Sequence, residues 1–246
     1  MKLLLTSAGI SNPSIHAALV DLLGKPIEEC SALCIPTAIY PFRGGATGAY
    51  RFISGTAQSP LCELGWKCLG VLELTPLPSV DKENWIPAVE EADALLVWGG
   101  DVLYLRRWMR ESGLADLFGS LRRKLVYVGV SAGSMVTGSW IGETYTNGKP
   151  PKADDITSEV VLVDTPEGEL SVNFTVAPGL GLANLALLPH VGNERFPENS
   201  LANCEIWAAK LPAPLYALDD QTAIKVVDGI AEVVSEGHWK LFAPQT

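Results

Sequence analysis

Clustered positive charge is missing from this sequence of 246 residues. Lysine and arginine number 18 against 28 aspartate and glutamate, which gives a formal net charge of −10. Binding to phosphate groups requires clustered lysine and arginine, so neither a nucleic acid nor an anionic membrane is expected as a partner. The densest basic run, Arg122-Arg123-Lys124, is interpreted as the last turn of a helix, where the helix dipole favours positive charge.

Paired cysteines are missing as well. The five cysteines form an odd set without a CxxC pair: Cys30, Cys34, Cys62, Cys68 and Cys204. This scatter predicts buried, reduced thiols and a cytoplasmic location rather than a disulfide framework. No spacing typical of metal ligands occurs, and the glycines at 179–184 form only an incomplete dinucleotide motif late in the chain, so no metal or other cofactor is expected.

Long apolar runs are scarce. The apolar start of the chain gives way to Thr6-Ser7 and Asn12-Pro13, which is too soon for a signal peptide. Residues 125–142 carry no charge, but their glycines and hydroxyl side chains favour a buried strand, turn and helix over a membrane span. The chain is therefore expected to be soluble. Its length and its 48% hydrophobic residues predict a substantial core, and we predict one domain over 1–246.

Short apolar runs alternate with helix-like stretches over the first 130 residues. They predict strands at 3–5, 33–35, 71–74, 94–98 and 125–130, and helices at 14–23, 50–68 and 102–109. The run 94–98 is apolar throughout rather than alternating, as is typical of strands buried on both faces. The fold class predicted is α/β, with a mainly parallel central sheet flanked by helices.

The later part of the sequence predicts further β structure. Turn formers such as Asn147-Gly148 and Pro150-Pro151 mark this region, and its β-type runs fall at 160–163, 172–176, 223–227, 230–234 and 238–242. Asp228-Gly229 stands between two of these runs and is a good hairpin signal. We therefore expect extra C-terminal β structure beside the parallel sheet.

The sharpest chemical feature is the G-x-S-x-G segment Gly129-Val130-Ser131-Ala132-Gly133. It lies between an apolar run and a stretch typical of a helix, where glycines permit a tight turn that raises the hydroxyl of Ser131 above the sheet. The first amides of the helix, that of Ala132 among them, would then face a developing oxyanion. The alternative interpretation is a glycine-rich turn whose serine only caps the helix.

A nucleophilic serine needs a base, and the sequence has three histidines. His16 falls in a predicted helix and is interpreted as structural. His190 follows the apolar run 185–189, where a strand reaches the edge of the sheet, whereas His238 falls inside a predicted strand. The position at a strand end favours His190.

The carboxylate that orients the histidine is expected in the turn Asp219-Asp220, which also follows an apolar run. Ser131 with His190 and Asp220 is one possible triad. The order Ser131, Asp220, His238 is that of α/β-hydrolases. We favour the first because the sequence has no lipase-type HGGG loop.

A second glycine turn, Trp98-Gly99-Gly100-Asp101, follows the buried run 94–98. Carboxyl ends of parallel strands share one edge of the sheet, where ligands bind. The amides of Gly100 and Ala132 are therefore expected to form an oxyanion hole together. For Asp101 itself, the alternative is an ordinary helix N-cap.

These segments, in this order, resemble dipeptidase E, the α-aspartyl dipeptidases, whose relatives include the cyanophycinases. The resemblance spans nearly the whole chain and rests on LLLTSAG at the start, Ile35-Pro36-Thr37-Ala38, Trp98-Gly99-Gly100-Asp101, Gly129-Val130-Ser131-Ala132-Gly133-Ser134, Leu188-Pro189-His190 and Leu218-Asp219-Asp220-Gln221-Thr222-Ala223. It implies a fold similar to class I glutamine amidotransferases, with serine in place of their cysteine. It also implies Ser131 as nucleophile, His190 as base and Asp220, rather than Asp219, as the orienting acid, with a homodimer by analogy.

The resemblance implies a serine peptidase that hydrolyses short peptides, dipeptides with an N-terminal aspartate above all. Asp101 stands where the family usually has asparagine, and we expect it to be one of the residues that contact the substrate. An acidic substrate also needs a local cation in a chain of charge −10, for which Arg195 is the first candidate and Arg43 the second. Open alternatives are a cyanophycinase-like or broader exopeptidase or esterase of the same fold, and a non-catalytic binding protein that retains the serine turn.

Overall fold

The computed structural model describes residues 1–121, 125–146 and 153–244. The basic run 122–124 and the turn formers at 147–151 lie outside these ranges. The strands are β1 Lys2–Thr6, β2 Ser31–Ile35, β3 Cys68–Val71, β4 Ala94–Val97, β5 Val126–Val130, β6 Trp140–Tyr145, β7 Thr157–Thr165, β8 Gly168–Pro178, β9 Ala186–Leu188, β10 Leu215–Leu218, β11 Thr222–Val227, β12 Ile230–Ser235 and β13 Trp239–Phe242. The α-helices are α1 Pro13–Leu23, α2 Gly45–Ile53, α3 Ile86–Glu91, α4 Val102–Glu111, α5 Leu114–Leu117, α6 Ala132–Met135 and α7 Leu201–Ala208. Short 3₁₀ helices lie at Ile27–Glu29, Thr37–Ile39, Leu77–Ser79 and Lys82–Asn84.

A seven-stranded sheet in the order β12-β11-β1-β5-β4-β2-β3 forms the centre of the fold. The five strands from β1 to β3 in that order run parallel, and β11 and β12 are added antiparallel at one side. This arrangement confirms the predicted α/β class with a mainly parallel sheet and C-terminal β structure. Because β1, β4 and β5 are parallel neighbours, the turns that follow them emerge at one edge.

Helices cover both faces of the central sheet, and the side chains of β1 show why. Leu3 and Leu5 pack on one face with residues of α3 to α6, whereas Leu4 packs on the other with α1 and α2. All three leucines are fully buried, as the uninterrupted apolar run predicts for a strand between two layers.

Two three-stranded sheets complete the fold, in the orders β13-β10-β9 and β6-β8-β7. Strands β9 and β10 are parallel, with Leu215 opposite Ala186. The residues that follow these two strands therefore leave in the same direction, and they include His190 and Asp220. The packing of α7 against this part of the fold buries Trp207 and Cys204.

Some sequence predictions were wrong at the boundaries. The helix predicted at 50–68 is α2, which ends at Ile53, because Gly55, Pro60 and Gly65 interrupt any continuation. The strand predicted at 71–74 is β3, which ends at Val71. Helix α1 begins at Pro13, where proline suits the first turn, and the side chain of Asn12 caps it.

Two further predictions need correction. His238 does not lie inside a strand, since β13 begins one residue later. The cysteines are all free, but Cys68 is exposed rather than buried. In the described ranges, no helix is both long and apolar enough to cross a membrane.

Candidate active site

Ser131 occupies a strained turn between β5 and α6. Its backbone dihedrals are φ 52° and ψ −116°, a region that non-glycine residues rarely adopt. The turn is tight enough that a Cβ on Gly129 would lie 2.6 Å from the carbonyl carbon of Gly133. A Cβ on Gly133 would overlap the carbonyl oxygen of Val97. Both glycines of the motif are thus required by close backbone contacts, and they hold Ser131 in the geometry of a nucleophile turn.

Buried hydrogen bonds support this turn from below. The carbonyl of Thr6 accepts from the N–H of Ser131 at 3.1 Å, and the hydroxyl of Thr6 donates to the carbonyl of Gly129 at 2.7 Å. The hydroxyl of Tyr127 donates to the carbonyl of Gly133 at 2.5 Å. Thr6 and Tyr127 are both fully buried, so these bonds fix the strained backbone in a water-free setting.

The second glycine turn lies directly against the first. A Cβ on Gly99 would be 3.1 Å from Cβ of Ser131, and Gly100, with φ 145°, approaches the carbonyl of Ala38 too closely for any side chain. Within the described residues, the amides of Gly100 and Ala132 have no hydrogen-bond acceptor. The amides of Gly100 and Ala132, which the sequence predicts as an oxyanion hole, therefore lie in two turns that contact each other.

Asp101 caps helix α4. Its Oδ1 accepts from the N–H of Tyr104 at 2.7 Å, and the hydroxyl of Tyr145 donates to Oδ2 at 3.3 Å. Asp101 therefore has the role of an ordinary helix N-cap. Burial, followed by the negative charges of Asp101 and Glu143, raises the pKa of the Tyr145 hydroxyl.

His190 and Asp220 form a close pair. The Nδ1 of His190 is 2.6 Å from Oδ1 of Asp220, and Asn193 donates to Oδ2 at 2.6 Å. Burial by itself would raise the pKa of the Asp220 carboxyl, but the hydrogen bond and the charge of His190, together with the hydrogen bonds of Asn193 and Ser7, lower it to about 2. Asp220 is therefore a carboxylate that holds the imidazole by one nitrogen and leaves the other free.

Asp219, the neighbouring acid, does not contact the imidazole. Its Oδ1 accepts from the hydroxyl of Thr222 at 2.7 Å and from the N–H of Gln221 at 3.0 Å, and its Oδ2 accepts from the N–H of His238. These bonds make it a turn-forming residue. The exposed ring of His238 contacts neither aspartate, and His16 is exposed on α1, so among the described residues only His190 has the setting of an oriented base.

Ser7 connects the two halves of the site. Its hydroxyl accepts from the N–H of His190 at 2.8 Å and donates to Asp220 at 3.0 Å. Thr6 pairs with Val130, so Ser7 and Ser131 are the next residues on neighbouring strands, whose spacing is about 4.8 Å. No hydrogen bond joins Ser131 Oγ to the ring of His190; Ser7 bonds to the backbone of His190 and follows the strand that is paired with the strand before Ser131.

Three residues around the imidazole were missed by sequence reasoning. Phe196 stacks on the ring of His190, with centroids 4.6 Å apart and an angle of 12° between planes. Ser7 and Asn193 bond to Asp220, as described. Ser7 follows β1 at the same edge as Ser131, a signal that the parallel-strand pattern already offered. Nothing in the local sequence marks Phe196 or Asn193.

The predicted substrate cations are both exposed. Arg195 follows the His190 turn and its Nη1 donates to the side chain of Gln58 at 2.9 Å. Its N–H donates to Oδ1 of Asn193, which places it one contact from Asp220. Arg43 lies in the loop before α2. Of the two, Arg195 is the one joined to the His190–Asp220 pair.

Comparisons with known proteins identify the fold and the family of this chain. Two solved structures share the fold: a candidate peptidase E protein from Listeria monocytogenes EGD-e (TM-score 0.59, 18% identity, covering 96% of this chain and 98% of that one) and a peptidase from an acI-B1 Actinobacterium (TM-score 0.56, 18% identity, covering 98% and 87%). No curated protein matches the sequence. The model of peptidase family S51 matches residues 3–234. The chain therefore belongs to peptidase family S51, a family of serine peptidases.

Proposed function

We propose that this peptidase hydrolyses short peptides, dipeptides with an N-terminal aspartate above all, through a triad of Ser131, His190 and Asp220. The observation that carries the proposal is the 2.6 Å contact between His190 Nδ1 and Asp220, at the sheet edge where Ser131 stands in its strained turn. A strained serine beside an oriented histidine is the arrangement that acyl transfer requires.

The first step is attack on the scissile carbonyl. Nε2 of His190 takes the proton of Ser131 as Oγ bonds to the carbonyl carbon, and the carboxylate of Asp220 stabilises the imidazolium that forms. The structure shows no hydrogen bond between Ser131 Oγ and the ring of His190, and the proposed proton transfer requires the two groups to come within hydrogen-bond distance when substrate binds. The amides of Gly100 and Ala132 would receive the oxyanion, each worth on the order of 3 kcal/mol.

Collapse of the tetrahedral intermediate completes the reaction. The imidazolium of His190 returns its proton to the departing amine, which leaves an ester on Ser131. Water then attacks this acyl-enzyme with His190 again as base, and the free acid departs. For the aspartate side chain of the substrate, Arg195 is the proposed partner, with Arg43 and Asp101 as further residues of the substrate site.

The proposal is tested by kinetics on Asp-Leu, Asn-Leu, Glu-Leu and Ala-Leu. Ser131→Ala and His190→Ala should each lower kcat by about 10⁴-fold or more, as removal of a catalytic triad residue does. His238→Ala is the matched control and should keep full activity. Loss with His238→Ala but not His190→Ala would overturn the triad and favour the α/β-hydrolase order and an esterase.

The same panel separates the remaining alternatives. Equal turnover of Asp-Leu, Glu-Leu and Ala-Leu would indicate a cyanophycinase-like hydrolase or a broader exopeptidase without preference for N-terminal aspartate. A fluorophosphonate probe should label wild-type protein and fail to label Ser131→Ala. Wild-type protein that is neither labelled nor active would be a binding protein that retains the turn.

A further inference from the structure

Two cysteines of the fold have their sulfur atoms in contact. Sγ of Cys34 lies 3.2 Å from Sγ of Cys62, although the residues are 28 positions apart in the sequence. Cys34 is in β2, which is paired on one side with β3 and on the other with β4. Cys62 is in the segment 54–67, which connects α2 to β3 without forming a helix or strand. Tertiary structure thus brings together one sulfur from the central sheet and one from a connecting segment.

The two thiols are close enough to become a disulfide. The sulfur atoms of a disulfide are about 2.05 Å apart, so the pair needs to close by only about 1 Å. Both residues belong to the apolar cluster that α1 and α2 cover. Cys34 is fully buried, whereas Cys62 is 8% exposed. A small oxidant from solvent therefore meets Cys62 first, and Cys34 is the thiol next to it.

We propose that Cys34 and Cys62 are a redox-sensitive pair, which hydrogen peroxide converts into a reversible disulfide. The sulfur of Cys62 attacks one peroxide oxygen, the O–O bond breaks, and Cys62 becomes a sulfenic acid as one water leaves. The sulfur of Cys34 then bonds to that of Cys62, and the S–O bond breaks to release a second water. Each thiol gives up one electron and one proton, and the peroxide takes up both pairs.

The surroundings of Cys62 make this oxidation slow. The hydrogen bond with Cys34, followed by burial, raises the pKa of the Cys62 thiol. Because the thiolate is the nucleophile, a thiol that stays protonated at neutral pH reacts slowly with peroxide. The pair therefore responds to sustained exposure to oxidant rather than to brief exposure.

The segment that carries Cys62 also contacts the loop at the proposed triad. The carbonyl of Pro60 accepts from the N–H of Ile10 at 2.9 Å, and a Cβ on Gly9 would lie 2.7 Å from the same carbonyl oxygen. Gly9 and Ile10 follow Ser7, whose hydroxyl holds the histidine and the aspartate of that triad. A shift of Cys62 towards β2 therefore acts on this loop through Pro60, two residues away.

Gln58 gives the same segment a second contact at the site. Its side chain accepts from Nη1 of Arg195 at 2.9 Å. The N–H of Arg195 donates to Asn193, and the side chain of Asn193 donates to Asp220. The disulfide thus restrains a segment with two connections to the His190–Asp220 pair, and we expect its formation to lower activity.

Mass spectrometry tests the disulfide directly. Protein carrying Cys68→Ser is used, so that the exposed thiol cannot join two chains. After treatment with hydrogen peroxide, the intact mass should fall by two hydrogens, and dithiothreitol should restore it. Thiols that stay unmodified after prolonged treatment, or sulfinic acid in place of the mass loss, would overturn the proposal.

Variants identify the two sulfur atoms. Cys34→Ala and Cys62→Ala, each added to Cys68→Ser, should abolish the mass loss. Cys30→Ala is the matched control, since Cys30 is also buried and lies only four residues before Cys34, and it should still lose two hydrogens. The same mass loss in Cys34→Ala would overturn the assignment of the pair.

Thermal unfolding gives a measurement that does not depend on the proposed function. A cross-link between residues 28 positions apart should raise Tm by about 10 °C in the oxidised Cys68→Ser protein, and dithiothreitol should remove the increase. An oxidised, linked protein with an unchanged or lower Tm would overturn the inference that the fold accommodates the disulfide.

The effect on activity rests on the proposed function. Oxidation should lower kcat/KM for Asp-Leu about tenfold in Cys68→Ser, because catalysis is sensitive to displacements of about 1 Å. Dithiothreitol should restore it, and Cys62→Ala treated in the same way should keep its activity. An unchanged kcat/KM in linked protein would overturn the coupling to the active site. If no peptide is cleaved but mass and Tm change reversibly, the proposed function fails and the redox pair stands.

Discussion

Ser7 holds the backbone of His190 and the carboxylate of Asp220 with one hydroxyl, at 2.8 Å and 3.0 Å. It is fully buried, so its loss leaves a buried N–H without an acceptor. Ser7→Ala should therefore lower the free energy of unfolding by about 1–3 kcal/mol and kcat about tenfold. Urea unfolding and dipeptide kinetics measure the two effects. Exposed Ser54→Ala is the control, and an unchanged kcat in Ser7→Ala would show that His190 is positioned without Ser7.

Gly99→Ala tests the contact between the two glycine turns. The added Cβ would lie 3.1 Å from Cβ of Ser131, so one of the turns must shift by a few tenths of an ångström. Because catalysis depends on such positions, kcat/KM should fall about tenfold. Gly119→Ala is the matched control, since its Cβ would meet nothing nearer than 3.9 Å. Equal kinetics in the two variants would mean that the turns can separate at no cost.

Asp220→Asn should change how stability depends on pH. The folded-state pKa of Asp220 is lowered to about 2, so the carboxylate stabilises the fold above its unfolded pKa of about 3.9. That contribution is lost as pH falls from about 4 towards 2. The free energy of unfolding of Asp220→Asn should thus lie below that of wild type at pH 7, with a smaller gap at pH 3. A gap of equal size at both values would contradict the lowered pKa.

The sequence predicted the elements whose physics is local. The G-x-S-x-G motif predicts its turn from a strand before it and a helix after it. A side chain on either glycine is excluded by backbone atoms within a few residues or on the neighbouring strand. The parallel order of β1, β4 and β5 then brings the turns after them to one edge. The roles assigned to Ser131, His190 and Asp220 there remain predictions.

What the sequence could not predict depends on tertiary contacts. Phe196 reaches His190 only because the loop after β9 folds back, and Arg106 meets Asp155 across 49 residues. The helix predicted at 50–68 was wrong because Gly55 and Pro60 prevent any continuation of α2 beyond Ile53.

Glu143 should make the fold less stable as pH rises. Burial, followed by the negative charge of Asp101, raises the pKa of this carboxyl to about 8; the N–H of Thr144 lowers it, and the charge of Glu198 adds a smaller increase. The folded protein therefore keeps a proton that the unfolded chain releases near pH 4.3, so the free energy of unfolding falls between about pH 4.3 and 8.

Glu143→Gln removes that titration and keeps the side chain's shape. Its free energy of unfolding should exceed that of wild type at pH 8, and the difference should shrink as pH falls towards 5. Urea unfolding at several pH values measures the slope, with Glu90→Gln on the exposed face of α3 as the control. Parallel curves for wild type and Glu143→Gln would mean that Glu143 is already ionised in the folded protein at neutral pH, and that the carboxylates beside the second glycine turn do not repel one another.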